Sequence, residues 1–386
     1  MAVTEPTIEV SSQQLELDSS AVIDDSEILQ EADYKTLDDP QSESDPIGYS
    51  GTDFDVEGLV RRLQRRDIVV PTFGHGDATV ETAGFQRNFV WRKPQMDRFI
   101  ESLLLGYPVP GIFLVQQRDK RYLVLDGQQR LQTLAHFYEG THAGRQFSLE
   151  SVSNAFLGLT YNTLEDTLRR TLDNSFIQAI VVRTDGTAAS LESVYQIFER
   201  LNSGGTQLTA HEIRVALYAG TLIDFVAELN RTNAWRSLYG AVSPRLRDQE
   251  LILRIMALFV TPGTYKRPLK QYLNGFAGAH RDCTSLAITD FRRLFEDACK
   301  VIYDADGQPA FRHTSGQVNV ALTEAVVVGM MRRLEAGAPP TAMSVKAAIE
   351  RLKQDPGFVL AITRATADEE NLRTRLARST HILAQS

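Results

Sequence analysis

Tyr122 to Leu125 form an apolar, partly β-branched run that reads as a buried strand. From Gln129 onward Leu131, Leu134, Ala135 and Tyr138 recur at helical spacing until Gly140 ends the pattern. Only Asp126 and Gly127 separate the two patterns, so the chain must turn sharply from strand into helix there.

A strand-to-helix turn of this kind sets the backbone N–H groups of Gly127, Gln128 and Gln129 at the positive end of a helix, with Arg130 one turn in. Such a terminus receives anions, phosphate above all. Asp126 is the odd member, because a bare carboxylate repels phosphate. It makes sense there if it holds Mg²⁺ or prepares a water for attack, and either role points to a nucleotide. The plainer alternative is that Asp126 is an N-cap and Gly127 a turn residue.

The net charge of −8 conceals an uneven distribution. Residues 1–57 hold 16 acidic residues against one base, Lys35, whereas the remainder holds 33 acids and 40 bases, a net of +7. A mildly basic body therefore carries a strongly acidic arm. The basic excess is compatible with nucleic acid. The arm, rich in Ser, Asp, Glu and Gln with few aromatics, is expected to be a solvated disordered tail over residues 1–53. The more specific alternative is that it competes with nucleic acid for the basic surface. Cys283 and Cys299 have neither metal-ligand spacing nor the pattern of a disulfide framework, so a reducing cytoplasm is the expected setting. The acidic N-terminus has no apolar core of a secretory signal, and the stretches around Leu251–Val260 and Ala325–Met331 are too short or too charge-interrupted to span a bilayer, so no membrane partner is expected.

The coarse pattern is α+β. A helix is expected from Phe54 to Arg66, a strand at Ile68–Pro71, a polar loop over Gly74–Gly84 and an extended segment at Phe85–Val90. Pro94 opens a helix striped by Met96, Phe99, Ile100, Leu103 and Leu104 and stopped by Gly106. Ile112–Val115 and Tyr122–Leu125 pair as a hairpin, a helix follows near Asn162–Leu172, and Phe176–Val182 is a further strand. From Ala188 the chain turns to long helices, near 189–201, 209–229, 244–260, 265–277, 286–303, 315–336, 342–353 and 356–382. The division expected is an arm at 1–53, a small mixed α/β domain at 54–186 and a larger all-helical domain at 187–386.

Three further segments carry candidate chemistry. Gln86 and Arg87 precede the Pro94 helix; the guanidinium fork suits phosphate oxygens and the amide can read a base edge or orient water. Alone, an Arg in a loop is a solvated surface residue. Asn202, Ser203, Gly204 and Gly205 follow a helix, and Thr209 with Glu212 makes a capping box for the next. This is either a well-made connection or a loop that closes over a ligand, with Arg214 facing the same site. In the Arg245–Arg254 stretch, Glu250 and Arg254 are spaced as an exposed i,i+4 ion pair, while a functional account would put Arg247 on phosphate with Asp248 or Glu250 orienting it. Trp91 and Tyr107 are aromatic enough to stack on a base, but core positions are the simpler expectation for both. No Walker-type loop, zinc-site spacing or His-Asn-His nuclease core is present, and a lone His313 near Asn319 suggests a surface or capping role.

In order along the chain, Phe85 to Trp91, Leu105 to Pro110, Asp126 to Leu131 and Phe198 to Gly205 resemble the N-terminal domain family of GmrSD-type, modification-dependent restriction enzymes, from about residue 56 to at least 260. The resemblance implies a ParB/sulfiredoxin-like nucleotide-binding core and NTP hydrolysis coupled to sensing modified or foreign DNA in phage defence. It implies a catalytic turn of Asp126, Gln128, Gln129 and Arg130, with Gln86 and Arg87 facing it. Read onto this chain, nucleotide binding would also use Gly127, Asn202, Ser203, Gly204 and Gly205, with Mg²⁺ near Asp126; the base of the NTP is left open. The His-containing nuclease domain of the full enzymes has no counterpart here, so cleavage would need a separate nuclease subunit. The alternative is a non-hydrolysing DNA-binding or interaction module in which nucleotide is a conformational ligand. Oligomeric state is left open.

Overall fold

The computed structural model describes residues 48–70, 91–201, 208–284, 287–314, 316–337 and 339–386. The expectations placed on residues 1–47, on Gly74–Gly84 and on Phe85–Val90 lie outside these described residues.

The strands are β1 (Tyr49–Asp55), β2 (Ile68–Val69), β3 (Ile112–Gln116), β4 (Tyr122–Asp126), β5 (Thr141–His142), β6 (Arg145–Gln146) and β7 (Phe176–Arg183). Five of them make one mixed sheet in the order β1-β7-β3-β4-β2, and β5 with β6 forms a small separate hairpin. β3 and β4 pair antiparallel as expected, with a register shift between Phe113 and Leu114; β3 runs parallel to β7, and β2 parallel to β4.

The sheet is covered on both faces, which explains the unbroken apolar strand in the sequence. On one face Ile112, Leu114, Val124, Ile177 and Ala179 pack with Leu59, Met96, Ile100, Leu131 and Phe137 from the helices Val56–Gln64, Lys93–Leu104 and Gln128–Glu139. On the other, Val115, Leu123, Leu125 and Val182 share a core with Val194, Phe198, Ile213 and Leu217. β7 ends at Arg183 and the helices begin at Ala188, so the change of character falls where the sequence places it. The apolar core nonetheless runs across it: the helical part is seated on the sheet.

One buried carboxylate ties the first layer together. Asp97 is fully buried, accepts from the backbone N–H groups of Glu150 and Ser151 at 3.0 Å each, and pairs with Lys93, whose ammonium also donates to the Ser148 carbonyl. Asp97→Ala would strand those donors away from water, so we expect a loss of about 3 kcal/mol. A urea midpoint equal to wild type would show that the 147–151 segment re-forms without the carboxylate.

The structure departs from the sequence reading in several places. β1 starts at Tyr49, inside the stretch expected to be arm, and Asp55 then caps the next helix, accepting from the Gly58 N–H at 2.5 Å. The helix expected over 209–229 is two, Ala210–Leu217 and Thr221–Leu229. A Cβ on Gly220 would lie 2.7 Å from the Arg281 carbonyl, and that same carbonyl accepts from the Leu222 N–H at 3.2 Å. A distant segment therefore starts the second helix. The helix expected over 356–382 is likewise split, into Pro356–Thr363 and Glu369–Ala384, with the Asn371 amide holding the carbonyls of Arg364 and Ala365 at the break. Asn233–Tyr239 is a short helix the periodicity did not reveal.

Candidate functional site: the turn after β4

β4 delivers Asp126 as its last residue, opposite Phe113 of β3. Gly127 then takes a left-handed conformation, φ 93° and ψ 10°, as the N-cap of the Gln128–Glu139 helix. Two constraints demand glycine here. A positive φ penalises any side chain, and a Cβ would overlap Ile112 Cγ2. Gly127→Ala is therefore expected to lose about 1–3 kcal/mol. Unchanged denaturant stability would mean that Ile112 yields and the turn is not under steric control.

Behind the turn Leu131, Leu134 and Phe137 are fully buried and fix the helix against the sheet. The first intrahelical bond runs from the Leu131 N–H to the Gly127 carbonyl at 3.0 Å. The helix therefore offers no carbonyl to the N–H groups of Gln128, Gln129 and Arg130, as at any helix start. This corrects the plainer expectation: Gly127 is the N-cap, and Asp126 turns its carboxylate to Arg130 instead of capping the helix.

Arg130 is the organising cation. Its Nη2 donates to Asp126 Oδ2 at 2.7 Å and to the Gly111 carbonyl at 2.9 Å, while its buried Nε has no hydrogen-bond partner. The Arg130 side chain is 13% exposed and that of Asp126 54%, so the pair presents a carboxylate outward over a largely buried guanidinium. Gln128 is buried at the helix start. Gln129 Oε1 accepts from the Trp91 N–H at 3.0 Å, and the Gln129 carbonyl accepts from Thr133 Oγ1 at 2.7 Å. The structure thus brings Asp126, Gly127, Gln128, Gln129 and Arg130 together, and adds Gly111. That residue ends the Pro108-Val109-Pro110 run, and a Cβ on it would sit 2.7 Å from the Gln178 carbonyl. A glycine after two prolines was the visible signal for it.

Gln86, Arg87, Asn202, Ser203, Gly204 and Gly205 lie outside the described residues. The capping box downstream is formed: the Thr209 N–H donates to Glu212 Oε2 at 2.6 Å and the Glu212 N–H to Thr209 Oγ1 at 3.2 Å. Trp91 is half-buried and packs edge-on against Phe99, whereas Tyr107 is 60% exposed and is not a core residue.

Arg214 does not face the turn. It is fully buried, with Nε donating to Asn274 Oδ1 at 2.9 Å and Nη1 3.2 Å from His211 Nδ1; burial and the Arg214 charge hold His211 well below its ordinary pKa. The exposed Glu250–Arg254 pair is also overturned. Both residues are buried, and Arg254 Nε donates to Glu324 Oε2 at 2.9 Å. Asp248 accepts from Asn230 and Arg236 at 3.0 Å each and from the Ser243 N–H at 3.1 Å, so it organises a helix start. Asn319, the neighbour of His313 in the sequence reading, caps a helix, accepting from the Leu322 N–H at 2.8 Å.

Among the described residues no group of three or more His, Cys, Asp or Glu is placed to hold a metal ion. A single exposed carboxylate beside a helix N-terminus still fits Mg²⁺, which is commonly held by one or two carboxylates together with substrate phosphates and water. The backbone N–H groups at the start of the Gln128–Glu139 helix, beside the Arg130 cation, suit an anion at the same end of the strand.

The strand end is thus a mixed-sheet, carboxylate–glycine turn into a helix, backed by a largely buried arginine. Residues 72–219 match the family model for the GmrSD restriction endonuclease, N-terminal domain. The resemblance read from the sequence is borne out over that segment, which is narrower than the 56–260 expected. It contains β3, β4 and β7 and the turn between β4 and its helix. The match implies a role in a restriction-type defence system. No curated protein matches the chain. No helix among the described residues is long and apolar enough to cross a membrane.

Proposed function

We propose that this chain binds and hydrolyses a nucleoside triphosphate at the turn after β4, as the sensor or regulatory part of a DNA-directed defence system. The observation that carries this reading is Arg130 Nη2, which donates to both Asp126 and the Gly111 carbonyl beside a helix N-terminus.

The chain's own residues supply positioning and charge neutralisation, which phosphoryl transfer chiefly requires. Phosphate oxygens take the N–H groups of the first helical turn and the positive end of its dipole. Arg130 places its positive charge beside that terminus, where it offsets developing negative charge. Asp126 is the one residue of the turn able to hold Mg²⁺, which when bound supplies Lewis-acid neutralisation of the phosphates. Since Gln129 Oε1 already accepts from Trp91, orienting a water falls to Gln128.

The test is phosphate release from each of the four ribonucleoside triphosphates with Mg²⁺, with and without plain and modified duplex DNA. Turnover that depends on Asp126 and rises with one kind of DNA supports the reading; no turnover with any combination sinks it. A second reading, a non-hydrolysing module, draws on the same ion pair: Asp126 is already neutralised by Arg130 at 2.7 Å, as in a purely structural turn. Nucleotide-induced thermal stabilisation without phosphate release would select it.

A further inference from the structure

The far end of the β3–β4 hairpin holds a second site. Gln116 pairs with Tyr122 there, four residues or roughly 14 Å along the strand from Asp126. Beyond it, the turn carrying Arg118, Lys120 and Arg121 meets the Thr184–Ser190 segment and the helical part of the molecule. Two cavities, of about 170 Å³ and 560 Å³, lie side by side and share Gln117, Arg118 and Thr184 as walls.

Their charge is one-sided, although the smaller cavity is otherwise walled largely by aliphatic residues such as Leu123, Leu191 and Leu217. Arg118, Lys120, Arg121, Arg183 and Arg281 line them, against Asp119 and Asp185. Both acids are engaged locally: Asp119 accepts from Arg121 Nε at 2.6 Å, and Asp185 accepts from the Thr187 N–H at 2.9 Å and the Thr187 hydroxyl at 2.7 Å. Arg118 is built in between the two cavities. Its Nε donates to the Asp185 carbonyl, and Gly186, at φ 73°, leaves room that a Cβ would take from the guanidinium. Lys120 and Arg183 are exposed and line the larger cavity. The rest of that wall is hydroxyl and amide, including Thr187, Ser190 and Ser193. Neither cavity is lined by an aromatic residue.

Cations interleaved with hydroxyl and amide donors are the groups that contact phosphate and sugar, and aromatic platforms are what unstacked bases require. We propose that the larger cavity and its basic rim hold successive phosphodiesters of a nucleic-acid strand and read no base. It would place DNA at the opposite end of the sheet from the nucleotide turn. The proposal rests on the DNA-directed part of the function above and is independent of hydrolysis.

The test is binding of a short mixed-sequence duplex to the full chain over a range of salt, comparing wild type with Lys120→Glu/Arg183→Glu. The expected result is a loss of about tenfold or more in affinity at low salt, and a log–log salt slope shallower by about 2, since each lost phosphate contact removes about 0.9. Triphosphate turnover in the absence of DNA should be unchanged. Lys120→Gln/Arg183→Gln, which removes charge without reversing it, should shift affinity the same way by less. Wild-type affinity and slope in both variants would overturn the proposal, as would no binding of duplex by wild type. Displacement of the duplex by an equimolar amount of pyrophosphate would also overturn it, by showing a pocket for free phosphate. Because binding is read without turnover, an inactive nucleotide site would leave this result interpretable.

Discussion

Asp126→Asn is expected to lower phosphate release by at least about 100-fold, on the scale of losing one electrostatic contact to a transition state. The substitution preserves size, and the amide oxygen still accepts from Arg130 Nη2, so the turn keeps its shape. What disappears is the charge that would hold Mg²⁺. The partly exposed Asp126–Arg130 pair contributes at most about 1 kcal/mol to folding, so a fall in turnover without a fall in denaturant midpoint separates chemistry from stability. Arg130→Lys is the companion. It keeps the positive charge but is shorter and loses the planar guanidinium whose Nη2 reaches Asp126 and the Gly111 carbonyl together, and a comparable loss of turnover is expected. Normal turnover in Asp126→Asn would remove the residue from the mechanism.

The largest effect on stability is expected at Glu324. It is fully buried in the Val320–Glu335 helix and shared by two arginines: Arg254 Nε donates to Oε2 at 2.9 Å, and Arg375 donates to Oε1 through Nε at 2.8 Å and through Nη2. Arg375 is further held by the Thr366 carbonyl at 2.6 Å. Glu324→Gln leaves two buried guanidinium groups without their counter-charge, for a loss of about 3–5 kcal/mol, a large share of a typical domain's stability. Urea denaturation measures it, and a midpoint unchanged from wild type would show that the cluster relaxes toward water. Acid should act through the same group. Burial alone would raise the Glu324 pKa, but Arg254 and Arg375 outweigh it and hold it below its ordinary 4.5. A depressed folded-state pKa means this stabilisation is fully present above about pH 4.5 and is lost as pH falls through the folded value. Glu324→Gln should therefore flatten the acid limb of the stability profile.

What could be read from the sequence follows from which interactions are local. The turn after β4 was legible because its strand is apolar throughout, its helix is striped, and glycine is the residue a left-handed N-cap requires. The arginines of the helical part were not. By spacing alone Arg214 reads as a residue facing a ligand, and Glu250 with Arg254 as an exposed pair. Their burial depends on Asn274 and Glu324, which reach them only through tertiary packing. β1 was missed for the opposite reason: its residues are mostly exposed along an edge, so it carries no apolar alternation and is defined by its neighbour β7.

That pairing has a consequence for how the molecule is made. Tyr49–Asp55 is the first strand in the described chain, yet its partner Phe176–Arg183 is the last strand of the sheet, and β3 also needs β7 on its other side. As the chain leaves the ribosome N-terminus first, β1 stays unpaired until β3, β4 and the helix of the nucleotide turn have all emerged. The sheet therefore closes late, at a contact spanning most of the first half of the chain, and such long-range pairing is slow to form. During synthesis the finished β3–β4 hairpin precedes its own frame, and the strand that completes the frame leads directly into the helices that cover it.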